Sequence, residues 1–310
     1  MNDGSKKQES LTSGVGQPCG ENPTSKPSLS PIKSTSATLK PLYEIYDELK
    51  EDIFSREKEV RFPIGLKAID DLLWGLHKKH LVTIGARTSQ GKSAFAINMM
   101  KNLADTKKKI IFFSLEMSRT QILERLLCSL CNINNIALQR GECHEDVRQA
   151  SNVFEEWVNS ADVLIDDQYG YHFDKVAEIC KIIRPDFVFI DYIQMISVDK
   201  RKTKLDAIED YVRRLKQLSM SLNFGSILLS QINRGGAENP SMSAYKGAGV
   251  LEEHSDVCIV LNWEWVKGEF NVTVEKNRHG RTGKFRVDFE PQYSRFSNYT
   301  PEPDMGVHTD

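Results

Sequence analysis

Ile84-Gly85-Ala86-Arg87-Thr88-Ser89-Gln90-Gly91-Lys92-Ser93 follows the apolar run Leu81-Val82-Thr83-Ile84 and leads into Ala94, Phe95, Ala96 and Ile97. A strand, a loop of small residues and a helix, in that order, read as a phosphate-binding loop of the Walker A kind. Such a loop needs backbone N–H groups that converge on phosphate oxygens, a lysine for the outer phosphates and a hydroxyl for Mg2+. Ala86, Arg87, Thr88, Ser89 and Gln90 form the body of the loop, and Gly91, Lys92 and Ser93 its working end. The strict pattern has glycine where this chain has Ala86, with Gly85 one place early. The flanking strand and helix separate the run from an ordinary Gly-Lys-Ser turn.

Outward from the loop, apolar runs alternate with amphipathic helices from about Arg61 onward. Strands are predicted at 81–84, 110–114, 163–165, 187–190, 226–230, 257–261, 272–275 and 285–289, with helices such as 121–130 and 205–222 between them. Near-continuous apolar strands separated by helices predict an α/β domain whose mostly parallel sheet is covered on both faces. Ligands of such sheets sit beyond the carboxyl ends of the strands.

Chemically loaded residues fall at those ends. Phe187-Val188-Phe189-Ile190 runs into Asp191, as a strand must if its acid is to support Mg2+ against phosphates; a strand-end aspartate is otherwise a common turn former. Ile110–Phe113 is followed by Ser114-Leu115-Glu116, where Glu116 either handles the attacking water or complements a helix dipole. Gln231 ends another apolar run, as a sensor of the terminal phosphate or a solvated amide. Lys276 and Arg278 alternate on an extended ribbon, so they share a face and can meet one phosphate together, unless the segment is simply a solvated basic hairpin.

Length, at 310 residues with 40% apolar content, allows one large core and a tail. The net charge of −2 means nucleic acid must be held by local basic surface. No apolar run approaches the roughly 20 residues of a membrane span, and neither a secretory nor a mitochondrial leader is recognisable, so a soluble cytoplasmic protein is expected. The six cysteines read as reduced thiols. Cys128 and Cys131 lie on a helical period with Ile122, Leu123, Leu126 and Leu127, as small hydrophobes do. Residues 1–39 are rich in Ser, Thr, Pro, Gly and Lys and are expected to be disordered. Leu42, Ile45, Tyr46, Leu49 and Ile53 mark one face of a helix within 40–58. The main domain is then 59–298, with a flexible tail at 299–310.

Taken in order, Ala86–Ser93, Ser114–Ser118, Ile190–Met195 (Ile-Asp-Tyr-Ile-Gln-Met), Leu229–Arg234, Lys276–Gly280 and Ser294–Asn298 resemble the motif series of the C-terminal motor domain of the DnaB family of replicative helicases. The resemblance runs from about Phe62 to Asn298. It implies a RecA-like P-loop ATPase domain, working as a homo-hexameric ring with ATP bound between neighbours, in a bacterial cell or phage-infected host. By resemblance, Lys92 and Ser93 bind phosphate and Mg2+, Asp191 supports the metal, Glu116 is the catalytic base, and Gln231 senses the γ-phosphate. Lys276 and Arg278 match the finger residues that act on a neighbouring subunit's ATP; Arg125 and Arg213 also resemble family positions. Ala244–Glu252 resembles the family's single-stranded DNA loop, with Lys246 pairing a phosphate and Gly247 and Gly249 opening the backbone to it. The basic run Lys200, Arg201, Lys202 is a second DNA-facing loop or a solvated one. The family's helical N-terminal domain, which meets primase, is replaced here by the tail and the short helix, which stands where the family's linker helix docks. The competing reading is a nucleotide-switched DNA-binding ATPase, filament-forming or helicase-associated, without unwinding activity.

Overall fold

The computed structural model describes residues 40–55, 62–170, 172–196, 203–232 and 248–301. The chain divides into two units, Met1–Glu59 and Val60–Asp310. In the first, α1 (Leu42–Ser55) is an amphipathic helix following Pro41, with Leu42, Ile45, Tyr46 and Leu49 exposed. The tail expected at 1–39 lies outside the described residues.

The second unit carries one sheet. Its elements run α2 (Lys67–Leu73), β1 (Leu81–Ala86), α3 (Lys92–Asp105), β2 (Ile110–Ser114), α4 (Arg119–Cys131), α5 (Asn135–Arg140), α6 (His144–Ser160), β3 (Val163–Asp166), α7 (Phe173–Ile183) and β4 (Phe187–Asp191). They continue with α8 (Lys204–Leu222), β5 (Gly225–Gln231), α9 (Ala248–His254), β6 (Val257–Glu264), β7 (Glu269–Asn277), β8 (Gly283–Glu290) and β9 (Arg295–Asn298). The strand order is β3-β2-β4-β5-β1-β6-β7-β8-β9. The pairings from β3 through β6 are parallel, and β7, β8 and β9 extend the sheet as an antiparallel meander.

Alternation along the central strands explains why both faces need cover. In β4, Phe187 and Phe189 pack with α3 residues such as Phe95 and Met99 on one face. Val188 and Ile190 pack with Tyr211, Val212 and Leu215 of α8 and Cys180 of α7 on the other. All four strand residues are fully buried, which is the burial expected of a parallel strand between two helical layers. Cys128 and Cys143 sit in a small satellite cluster with Ile133.

The expected α/β class and mostly parallel sheet are those observed, but several elements leave little trace in the sequence. β9 lies within a segment that matches only as a motif. Its four residues, with Phe296 alone buried, carry too little alternation to declare a strand. α6 has no fully buried residue, and α2, α5 and α9 are only six or seven residues long. Their positions are set by docking and caps, such as the Asn134 side chain accepting from the amides of Ile136 and Ala137.

Candidate active site

β1 lies between β5 and β6, while the chain from β1 crosses by α3 to β2, beyond β5 and β4. This change of direction opens a crevice at the carboxyl ends of the strands, the place where α/β sheets bind ligands. The loop 87–91 leaves β1 there and enters α3. Gly91 takes φ +74° at the helix start. A Cβ on Gly91 would come within 3.3 Å of both Phe270 and Phe296. Backbone conformation and close packing together require glycine here.

A cavity of about 550 Å³ opens at this loop. It is lined by the loop and by Glu116, Arg125, Gln231 and Trp263, with Phe289 and Pro291 at one wall. The working residues come from or follow five adjacent strands, in the order β2, β4, β5, β1 and β6, when Asp191 at the end of β4 is included. Register explains the convergence. Ser114 pairs with Asp191, and Ala86 pairs with Gln231 on one side and Leu261 on the other.

Local hydrogen bonds fix the strand ends. The Ser114 hydroxyl donates to the Met117 carbonyl at 2.6 Å and the Leu115 amide donates to the Asp191 carbonyl, also at 2.6 Å, shaping the turn that presents Glu116. Gln194, in the short turn after β4, donates to Ser230 Oγ at 2.8 Å and accepts from the Gln231 amide at 3.2 Å. Gln231 Nε2 in turn donates to Thr88 Oγ1 at 2.7 Å, joining β5 to the loop. The Asn98 amide donates to the carbonyls of Ala94 and Ser294, and its oxygen accepts from the Phe296 amide, which ties the last strand to α3.

Lys92 lies across the floor, its Nζ 3.6 Å from Asp191 Oδ1 and 4.0 Å above the Tyr192 ring. Burial lowers its pKa, and the carboxylates of Asp191 and Glu116 only partly offset this. Asp191 is 1% exposed, and its Oδ1 accepts no hydrogen bond among the described residues. A buried carboxylate oxygen without a donor, beside a half-buried Ser93 at the start of α3, fits a hard cation that takes oxygen ligands. Arg125 is half-buried in the wall, and burial lowers its pKa against the pull of Asp191 and Glu116.

Lys276 and Arg278 are elsewhere. Lys276 pairs with Cys258 near the start of β6, at the opposite edge of the sheet from the loop. Both cations reach the same place, as their alternate spacing predicts: Lys276 Nζ donates to the carbonyl of Glu252, and Arg278 donates to the carbonyl of Glu253 at 3.3 Å. Arg278 also pairs with Asp256 at 3.1 Å. The two ends of β6 from Val257 to Trp263 are about 20 Å apart at a rise of about 3.3 Å per residue. A larger cavity of about 780 Å³ lies at this far edge, lined by His77, His80, His279 and Phe285. It has no phosphate loop and no strand-end acid among its described lining residues, so the chemistry belongs to the smaller one.

A family model of the DnaB-like helicase C-terminal domain matches residues 62–298. The chain belongs to the DnaB-like helicase C-terminal domain family. It is 32% identical over 284 residues to a probable plasmid replicative DNA helicase of Chlamydia trachomatis, covering 84% of this chain and 63% of the relative. It is 28% identical over 279 residues to the replicative DNA helicase DnaC of Bacillus subtilis, covering 83% and 61%. The chain therefore spans a little over three-fifths of the length of these relatives. Among solved structures it is similar to a helicase-fold ATPase domain, with a TM-score of 0.76 at 24% identity over 84% of this chain and all of that one. It is also similar to a DnaB-like replicative helicase described with its interactions with primase, with a TM-score of 0.74 at 24% identity over 84% and 68%.

Within this DnaB-like domain, Lys200, Arg201, Lys202, Lys246 and Gly247 lie outside the described residues. Gly249 is described, exposed, in the first turn of α9. Gln194, Asn98 and the aromatic wall of Trp263 and Phe289 are functional parts that sequence reasoning misses. Gln194 stands within the Ile190–Met195 motif, and that is its available signal; Asn98 and the wall act across 196 and 173 residues of chain and leave no local pattern.

Proposed function

We propose that this protein is an ATP-dependent DNA helicase that moves on single-stranded DNA as a homo-hexameric ring and acts in DNA replication, in the cytoplasm of a bacterial cell or phage-infected host. The names of the relatives support unwinding over a nucleotide switch without it. The observation that carries the reading is the separation of parts. The phosphate loop, Glu116 and Gln231 stand at one edge of the sheet, and Lys276 and Arg278 at the other. A site split between two edges is complete only when one subunit's far edge meets the next subunit's cavity. Repeating that head-to-tail contact generates a ring where the rotation closes.

In this arrangement the amides of residues 86–93 and Lys92 hold the phosphates of ATP. Ser93 and Asp191 hold Mg2+, which when bound neutralises charge on the phosphates. Glu116 takes the proton of the attacking water, and Gln231, braced by Gln194 and Thr88, meets the γ-phosphate. The neighbour's Lys276 and Arg278 stabilise charge developing on the transferred group, as arginine fingers do. Arg125 adds a cation from the same subunit. Lys246, Gly247 and Gly249, with Lys200, Arg201 and Lys202, track the DNA backbone with little regard to sequence. A primase or a loader is the expected class of protein partner.

Subunit mixing tests the split site. Arg278→Ala and Glu116→Gln subunits should each be inactive in DNA-stimulated ATP hydrolysis, and mixing them should restore part of it, because some contacts then join an intact Glu116 to an intact Arg278. Absence of recovery at every ratio would rule out catalysis shared between subunits. Lys92→Ala protein, tested by itself, should show no hydrolysis.

A further inference from the structure

The geometry points to Trp263 as the platform for the nucleobase, a specificity role that rests on the nucleotide reading above and extends it to the base. β6 runs past its last pairing with β1, at Leu261 opposite Ala86, and two residues later brings Trp263 to the wall of the phosphate-loop cavity. Its backbone is clasped by the loop itself. The Trp263 amide donates to Gln90 Oε1, and Gln90 Nε2 donates to the Trp263 carbonyl at 3.4 Å. The indole is thereby held at a fixed reach from Gly91 and Lys92.

The ring is also braced. Trp265, two residues along the chain, stacks on it with centroids 3.5 Å apart and planes inclined by 24°, and Phe289 meets it edge-on at 5.1 Å and 86°. Trp265 remains 60% exposed, so the pair does not serve as ordinary core. A half-exposed indole of fixed orientation, at the wall of a cavity whose floor is built for phosphate, is suited to a flat heterocycle joined to that phosphate through a sugar. Pro291 continues the apolar wall, and Gln121 and Asn135 line the same cavity with polar groups for the edges of a base. Base–aromatic stacking favours the larger π surface, so the site prefers purine to pyrimidine nucleotides.

Calorimetric titration of the full chain with Mg2+ and, separately, ADP, CDP and inorganic tripolyphosphate tests this. The unmutated protein should bind ADP more tightly than CDP. Trp263→Ala should weaken ADP about tenfold, within the range for loss of one stacked base, remove the ADP-over-CDP preference, and leave tripolyphosphate binding unchanged. That unchanged binding also reports that the variant is folded, and Trp263→Phe should keep most of the ADP affinity. Equal weakening of ADP and tripolyphosphate by both variants would reduce Trp263 to a structural part, and unaltered ADP binding in Trp263→Ala would assign the indole pair to some other surface; either result overturns the proposal. Failure of the nucleotide reading itself shows differently: the unmutated protein would bind none of the three ligands, and both readings would fall together.

Discussion

Ala86 occupies the place where the strict phosphate-loop pattern has glycine, and its surroundings explain why alanine serves. It is the last residue of β1, 1% exposed, and paired on both sides. Positive φ in the loop falls instead on Ser89 and Gly91. At this scale the site is largely legible in sequence, because Lys92, Asp191, Glu116 and Gln231 each follow an apolar strand that announces itself. His80 is not legible, since its character comes from what folds around it. Its ring stacks on His279 at 4.6 Å and lies 4.9 Å from His77. Burial pushes its pKa down from 6.5 to about 4, against the opposing pull of Asp256, while His77, His279 and Lys216 add to the depression. The unfolded chain therefore takes up a proton that the folded chain refuses. Stability from this group is complete above pH 6.5 and is lost as pH falls toward 4. Urea unfolding should show the protein losing roughly 1–3 kcal/mol over that interval through His80, and His80→Phe should flatten that part of the profile.

At the scale of elements, the strands of the parallel core are readable because each is a short apolar run between helices, buried on both faces. The antiparallel end of the sheet is less so: β7 and β8 extend beyond their apolar centres by pairing with each other, and β9 by pairing with β8. What joins the two parts is Asp256, just before β6. Its carboxylate accepts from the Leu81 amide at 2.8 Å, from Lys216 of α8 at 2.5 Å and from Arg278 after β7 at 3.1 Å. Burial opposes its ionisation, but the hydrogen bonds from Lys216 and Leu81 prevail and hold its pKa below the usual carboxylate range. One buried charge thus organises a strand start, a helix and the finger segment. Asp256→Asn keeps the shape but loses the charge, and should cost roughly 1–3 kcal/mol in denaturant unfolding at neutral pH. An unchanged unfolding midpoint would mean that these three contacts carry no net stability.

For the whole molecule, the proposed ring brings each subunit's far edge to the next subunit's cavity and leaves DNA to loops whose basic residues are apparent from sequence alone. Lys246→Ala should lower the log–log salt slope of single-stranded DNA binding by about 0.7, the value for one phosphate contact; an unaltered slope would remove Lys246 from the DNA path. The described structure adds a constraint that no motif conveys. Lys276 and Arg278 hold the carbonyls of Glu252 and Glu253, at the end of the helix that follows the proposed DNA loop. In the ring, those cations must exchange these acceptors for the phosphates of an adjoining subunit. Two sets of acceptors competing for one pair of cations form a thermodynamic cycle. Whatever factor DNA on the loop imposes on a neighbour's nucleotide affinity, that nucleotide must return to the DNA.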